Sequence, residues 1–190
     1  MLCLTYRTPP TWAEQALADV PLLLSDHYFL EQKAALMAES VIAKWGDRFP
    51  KLVPLMRDLA AEELEHAERV ARMQAAHPRP TDTRRGNPYV KALRRRIAAD
   101  GATLCDLLLV NSLIEARSAE RFRLLAKAAG GTELGGFYED LYASEVGHHV
   151  LFTRVAADLF GTERMEARLA VLSAAEGEIV AGLPMLPRIH

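Results

Sequence analysis

Proline and glycine interrupt this chain at only a few places, and the long stretches between them constrain its fold more than any other feature. Pro9 and Pro10 precede a short helical window from about Trp12 to Asp19. Pro21 opens a long window that runs to about Trp45, where Gly46 and Pro50 stop it. Proline suits the first turn of a helix and glycine the position just past its end. A second long window covers Lys51 to Ala76, and Pro54 is tolerable there because it lies in the first turn. His77 to Pro88, reading HPRPTDTRRGNP, is a loop by composition. A basic helix from about Tyr89 to Ala99 follows. The third long helix runs from about Ala102 to Ala128 and ends at Gly130-Gly131. The fourth starts near Thr132 or Glu133, is loosened at Gly135-Gly136, and ends near Phe160. Gly161-Thr162 caps a last helix to about Val180, and the tail LPMLPRIH is irregular.

Ala, Leu, Glu, Arg and Met fill these windows, while β-branched clusters and alternating patterns are scarce, so the chain is all-α. Four helices of about 26 residues each span about 39 Å. Short turns within the first and second pairs, and a longer link between them, describe two antiparallel hairpins in a bundle. At 190 residues the chain is expected to be a single domain, 1–190, large enough to bury a core unaided. A net charge of -2 argues against wholesale wrapping of nucleic acid, although a local basic patch is compatible with it. Cys3 and Cys105 are far apart with no CxxC spacing, which points to a reducing compartment rather than a disulfide framework. The opening MLCLTYRTPP lacks a basic stretch followed by an apolar run, and no charge-free run of about eighteen apolar residues occurs. A cytoplasmic protein outside the membrane is the expectation.

Two Glu-x-x-His strings stand out, Glu63 to His66 and Glu145 to His148. Residues three apart share a helix face, so each string aims a carboxylate and an imidazole the same way. Taken alone, such strings are weak evidence. Register strengthens them. Glu31 lies about 16 residues before the first hairpin turn and Glu63 about 16 after it, so the two reach similar heights in an antiparallel pair. Glu115 and Glu145 lie about 15 residues either side of the second turn. The 32-residue step from Glu31 to Glu63 is nearly repeated by the 30-residue step from Glu115 to Glu145. Each half therefore offers one helix with a lone Glu and a partner with Glu-x-x-His. Four carboxylates and two imidazoles converging inside a bundle is the ligand pattern of ferritin-like di-iron and di-manganese proteins. The expected fold is thus a ferritin-like four-helix bundle with extra short helices.

The surroundings agree. Glu31 follows Tyr28-Phe29-Leu30, and Glu115 follows Leu113-Ile114 after Leu107-Leu108-Leu109-Val110. A carboxylate on such a face is costly unless neutralised, and two divalent cations balance four carboxylates. Mixed oxygen and nitrogen donors suit iron or manganese. Singly, Glu31 or Glu115 also reads as a charged residue at the boundary of core and solvent. His149 is an alternative ligand to His148, since Glu145 to His149 is also a same-face spacing, but the match to Glu63-x-x-His66 favours His148. Glu62 and Glu65 are expected to face solvent or pair with Arg69, and Glu120 lies near the stripe but breaks the symmetry. His27, one turn before Glu31, either supports that ligand or simply packs. Cys105 reads as core.

The strings DHYFLEQKAALMAES around Glu31, LAAEELEHAERV around His66, LIEARSAERF around Glu115 and LYASEVGHHVLF around His148 resemble the tRNA-(ms[2]io[6]A)-hydroxylase family. TPPTWAEQAL is similar too, so the resemblance covers about residues 8 to 180, and IEARSAERF is its most specific string. It implies a monooxygenase with two iron ions, dioxygen as co-substrate and an external electron donor. That family hydroxylates the isopentenyl group of a 2-methylthio-isopentenyladenosine beside the tRNA anticodon. Glu31, Glu63, His66, Glu115, Glu145 and His148 fall on the family's metal-ligand positions. The roles expected on chemical grounds are Glu31 and Glu115 as outer or bridging carboxylates, Glu63 and Glu145 as bridges, and His66 and His148 as caps of one iron each. No catalytic residue beyond the ligands is implied. Tyr28-Phe29 depart from the family, standing where smaller or polar residues are expected. Tyr28, Phe29, Leu109 and Leu113 could hold a prenyl tail or equally pack a core.

For a tRNA substrate the candidate surface is Arg84, Arg85, Lys91, Arg94, Arg95 and Arg96, a cluster able to meet phosphates. A solvated helix face explains the same residues. Arg117, Arg121 and Arg123 form a weaker second patch, some of whose members are expected to pair with Glu120 and neighbouring acids. A ferredoxin-like electron-transfer protein with its reductase is the partner such chemistry implies. The competing readings are a ferritin- or rubrerythrin-like protein that stores iron or scavenges peroxide, and a metal-free helical binding module. The lack of a CxxC pair weakens the rubrerythrin version.

Overall fold

The computed structural model describes residues 2–78 and 86–190. It is all helix: α1 (Thr11–Leu17), α2 (Val20–Trp45), α3 (Leu52–Gln74), α4 (Pro88–Ala99), α5 (Leu104–Ala128), α6 (Glu133–Phe160) and α7 (Thr162–Gly182). No strand occurs among the described residues, and none of the helices is long and apolar enough to cross a membrane. The helix ends lie within a few residues of those read from the breakers, a scatter typical of fraying termini.

Local chemistry sets the starts. Asp19 caps α2 by accepting from the Leu22 amide at 3.2 Å, with Pro21 in the first turn. Asn87 does the same for α4 through the Val90 amide at 3.0 Å, and Pro88, rather than Tyr89, is the first residue of that helix. Thr103 and Asp106 form a reciprocal capping box on α5: the Asp106 amide donates to Thr103 Oγ1 at 3.2 Å and the Thr103 amide to Asp106 Oδ2 at 2.8 Å. Thr132 caps α6 through the Gly135 amide at 3.1 Å. Contrary to expectation, Gly135-Gly136 does not loosen that helix, which runs unbroken from Glu133. Gly135 serves a close approach instead: a Cβ there would lie 2.8 Å from the Ala129 carbonyl carbon and closer still to its oxygen. Gly161, at φ +89°, provides the left-handed turn between α6 and α7.

The helices gather into two compact units. One comprises Ala16–Arg85 with Pro187–Ile189 and is built on the α2–α3 hairpin. On α2 the buried residues Leu24, His27, Glu31, Ala35 and Ala38 follow each other at steps of three and four. On α3 the same steps run through Met56, Leu59, Glu63, His66 and Val70. Each is one face of a 3.6-residue period, and each carries acids and imidazoles within an otherwise apolar stripe. The tail joins this unit where the Ile189 amide donates to Asp26 Oδ2 at 3.1 Å.

The other unit comprises Met1–Gln15, Gly86–Leu186 and His190, in which α5 packs on α6 and α7. Leu108, Leu109, Leu113, Phe122, Leu125, Tyr138, Leu141 and Phe152 are buried here. Each such leucine contributes about 1.5–3 kcal/mol of hydrophobic stabilisation. Arg117 belongs to this interior, not to a surface patch: its side chain has 0% exposure. Its Nε and Nη2 donate to the two oxygens of Glu176 at 2.9 Å each, Nη1 to Glu120 and Thr8 Oγ1, and Nη2 to the Tyr6 carbonyl at 3.1 Å. Tyr89 adds its hydroxyl to Glu176 at 3.0 Å. Burial, then the charge of Glu176, keeps the Tyr89 phenol protonated well above its usual range. Arg121 lies 4.8 Å over the ring of Trp12, and burial lowers its pKa to about 10. Of the second basic patch only Arg123 is exposed. Glu176 supplies the countercharge that makes burial of the guanidinium tolerable.

Candidate metal centre

The α2–α3 hairpin assembles three of the expected ligands. Glu31 from α2 and Glu63 and His66 from α3 each offer a ligand atom, all within 4.8 Å of one another. Their exposures are 5%, 1% and 6%, so none is a solvated surface acid. Three-residue spacing puts Glu63 Oε2 3.6 Å from His66 Nδ1, side by side on one face. Glu62 and Glu65, one position before and two after Glu63, are exposed, as the helix period requires. His27, one turn before Glu31, is buried, and its Nε2 stands 2.5 Å from Glu31 Oε1. Burial, reinforced by His66 and opposed by Glu63, lowers the His27 pKa to about 3. The ring is therefore neutral near neutral pH, and its Nε2–H donates to the carboxylate.

The α5–α6 pair repeats the arrangement. Glu115 on α5 and His148 on α6 present ligand atoms within 4.8 Å of each other. Glu145 Oε1 lies 3.9 Å from His148 Nδ1, one turn along the same face. All three are buried. His149 is buried as well but is committed elsewhere: its Nδ1 is 3.0 Å from the Ser112 carbonyl, and the Ser112 hydroxyl lies 2.8 Å from the same nitrogen. The pairing with Glu115 thus falls to His148. Glu120 serves a different purpose from the ligand stripe, since it is held by Arg117 and Thr8.

Other expectations fare unevenly. Leu109 and Leu113 are fully buried core, while Tyr28 and Phe29 are half-buried, edge to face at 6.1 Å, with Gln32 donating to the Tyr28 hydroxyl at 3.0 Å. Lys91, Arg94 and Arg95 are exposed along α4. Arg96 is only half-exposed and pairs with Asp100 at 2.9 Å. Arg84 and Arg85 lie outside the described residues. Sequence reading missed the buried Arg117–Glu176 cluster, although IEARSAERF contained its clue: Arg117 and Glu120 are one turn apart and interleaved with alanines.

Comparison with known proteins gives one direction. The model of the tRNA-(MS[2]IO[6]A)-hydroxylase (MiaE) family matches residues 1–190. A tRNA 2-(methylsulfanyl)-N(6)-isopentenyladenosine(37) hydroxylase of Pseudomonas putida is 38% identical over 185 residues, covering 96% of this chain and 89% of the relative. The Salmonella typhimurium protein of the same name is 25% identical over 235 residues, covering 96% and 85%. Among solved structures, a Synechococcus protein described as having aldehyde deformylating oxygenase activity superposes with a TM-score of 0.89 at 34% identity. That match covers 98% of this chain and 94% of the other. The all-α, ferritin-like fold read from the ligand register is therefore the fold of this chain. With every residue matched by the family model and relatives of the same description, the chain belongs to the tRNA-(MS[2]IO[6]A)-hydroxylase family.

Proposed function

We propose that this chain hydroxylates the isopentenyl group of 2-methylthio-isopentenyladenosine in tRNA, using two iron ions, dioxygen and electrons from an external donor. The observation that carries the reading is the pair of buried ligand sets, Glu31, Glu63 and His66 on one hairpin and Glu115, Glu145 and His148 on the other, in a member of this family. Family membership also weighs against the iron-storage and peroxide-scavenging alternatives.

The donor set suits the metal. Glu31 and Glu63 place two carboxylates within 4.8 Å of each other and almost out of water, which is expensive without cations. Four carboxylates and two imidazoles balance two divalent ions and prefer iron or manganese to a thiolate-seeking metal. On this reading the two hairpins act together as one domain, residues 1–190. Bound there, the ions would activate dioxygen for insertion into a C–H bond, chemistry that no side chain can supply. The reaction balances when one oxygen atom enters that bond, the other leaves as water, the donor provides two electrons and two protons are taken up from solvent. The chain's own part is to hold its ligands on rigid helices and to keep the surrounding stripe apolar, so that water does not compete for the site. His66 and His148 each serve one ion. The exposed Lys91, Arg94 and Arg95 are the phosphate-binding residues that α4 contributes, with Arg84, Arg85 and Arg96 beside them in sequence. A ferredoxin-like protein and its reductase deliver the electrons, in the cytoplasm.

The test loads the protein with iron and supplies reductant, dioxygen and tRNA carrying the prenylated nucleoside. The nucleoside should gain the mass of one oxygen atom, with label arriving from isotopic dioxygen and not from water. Conversion of an aldehyde, with none of the tRNA, would overturn the assignment in favour of the chemistry named for the Synechococcus protein.

A further inference from the structure

His27 is a buried histidine that the six-ligand reading does not use. It sits on α2 four residues before Glu31, on the same stripe, with 1% exposure and Nε2 2.5 Å from Glu31 Oε1. Four-residue spacing on one helix makes the contact a property of the helix itself, independent of any loop. The turn that carries it is also pinned from outside. Asp26, the preceding residue, receives the Ile189 amide at 3.1 Å and lies 4.0 Å from the Arg188 guanidinium. A carboxylate whose one oxygen already accepts a hydrogen bond has a restricted torsion, and its second oxygen is the one better placed for a cation.

We propose that His27 is a positioning residue for the metal centre: it holds Oε1 of Glu31 so that Glu31 binds its ion through Oε2. This rests on the di-metal reading above. The role is distinct from ligation, because His27 reaches the ion only through Glu31. Partners that orient a ligand in this way are worth about 10–100-fold in metal affinity.

The experiment compares the intact protein with His27→Leu, His27→Gln and Glu31→Ala, each freed of metal and titrated anaerobically with Co(II), whose visible bands report coordination. Leucine fills the buried site without a donor, and glutamine restores an N–H of similar reach. His27→Leu should keep two equivalents of Co(II), bind one of them about 10–100-fold more weakly, and alter the bands of that ion alone. His27→Gln should recover most of the affinity and the original bands. Wild-type affinity and spectrum in His27→Leu would overturn the proposal, leaving His27 as packing. Complete loss of one equivalent would overturn it in favour of direct coordination by His27. Glu31→Ala tests the underlying reading separately. If that variant still binds two equivalents as the intact protein does, the metal assignment of Glu31 fails whatever His27 does. Thermal unfolding of the metal-free variants separates a folding defect from a binding one, and His27→Gln carries the comparison should the leucine variant not fold.

Discussion

The guanidinium of Arg117 meets both oxygens of Glu176 at 2.9 Å, and neither side chain has any exposure. The pair joins α5, two residues past Glu115, to α7, and Tyr89 of α4 and Thr8 of the N-terminal segment close around it. Such a pair is not by itself a large source of stability, because desolvating two ions offsets most of their attraction. Its partners are nevertheless expensive to separate.

Glu176→Leu should therefore destabilise the protein by about 3–5 kcal/mol, since it leaves the buried Arg117 charge with less compensation. Urea unfolding measures the change. A drop below about 1 kcal/mol would mean that Glu120 alone suffices to neutralise the guanidinium.

The α5 cap carries a pH signature. Burial alone would raise the pKa of Asp106, but hydrogen bonds from the Thr103 amide and hydroxyl and from Arg168 outweigh it, and the value falls below 3.8. A carboxylate with a depressed folded pKa stabilises above its unfolded value and loses that contribution as pH falls through the folded one. Asp106→Asn should thus cost stability at neutral pH and flatten the decline below pH 3.8. Thr103→Ala, which removes the other half of the box, should cost about 1 kcal/mol. Thermal melts across pH check both.

Metal removal should be visible in stability before any turnover is measured. A ligand present at about a thousandfold its dissociation constant adds about 4 kcal/mol to the folded state. Calorimetry of iron-loaded protein against chelated protein should show that difference as a higher melting temperature. Glu63→Ala and Glu145→Ala should each lower bound iron in elemental analysis, while Glu62→Ala, at an exposed position, should not.

On α4, replacing Lys91, Arg94 and Arg95 with alanine should weaken tRNA binding at every sequence alike. The slope of log affinity against log salt should fall by about 1 for each phosphate that is no longer neutralised. Iron content should stay unchanged. An unaltered salt slope would identify these residues as an ordinary solvated face.

Gly135→Ala poses propensity against space. Alanine is favoured over glycine inside a helix by about 1 kcal/mol. Here its Cβ would lie 2.8 Å from the Ala129 carbonyl carbon, on backbone that cannot swing aside. Net destabilisation of about 1–3 kcal/mol is expected, the usual range for overpacking. A stabilised variant in urea unfolding would show that the turn can open.

Helix positions and the buried faces of the two hairpins were legible before any coordinates because both are local. Breakers such as Pro21, Gly46 and Gly161 act within a turn, and a 3.6-residue period carries Glu31, Glu63, Glu115 and Glu145 to the same stripe as their apolar neighbours. The pairing of Arg117 with Glu120, one turn on, is legible locally, but its burial is not, because its other countercharge, Glu176, lies 59 residues away. No periodicity links residues that far apart. Spacing favours His148 over His149 by its match to Glu63-x-x-His66, but that Ser112 on another helix engages His149 is a tertiary contact no spacing reveals. Local sequence thus determined which residues are helical and which face turns inward. Tertiary packing decided which buried charge meets which partner, because only folding brings distant groups within the few ångströms over which hydrogen bonds and ion pairs act.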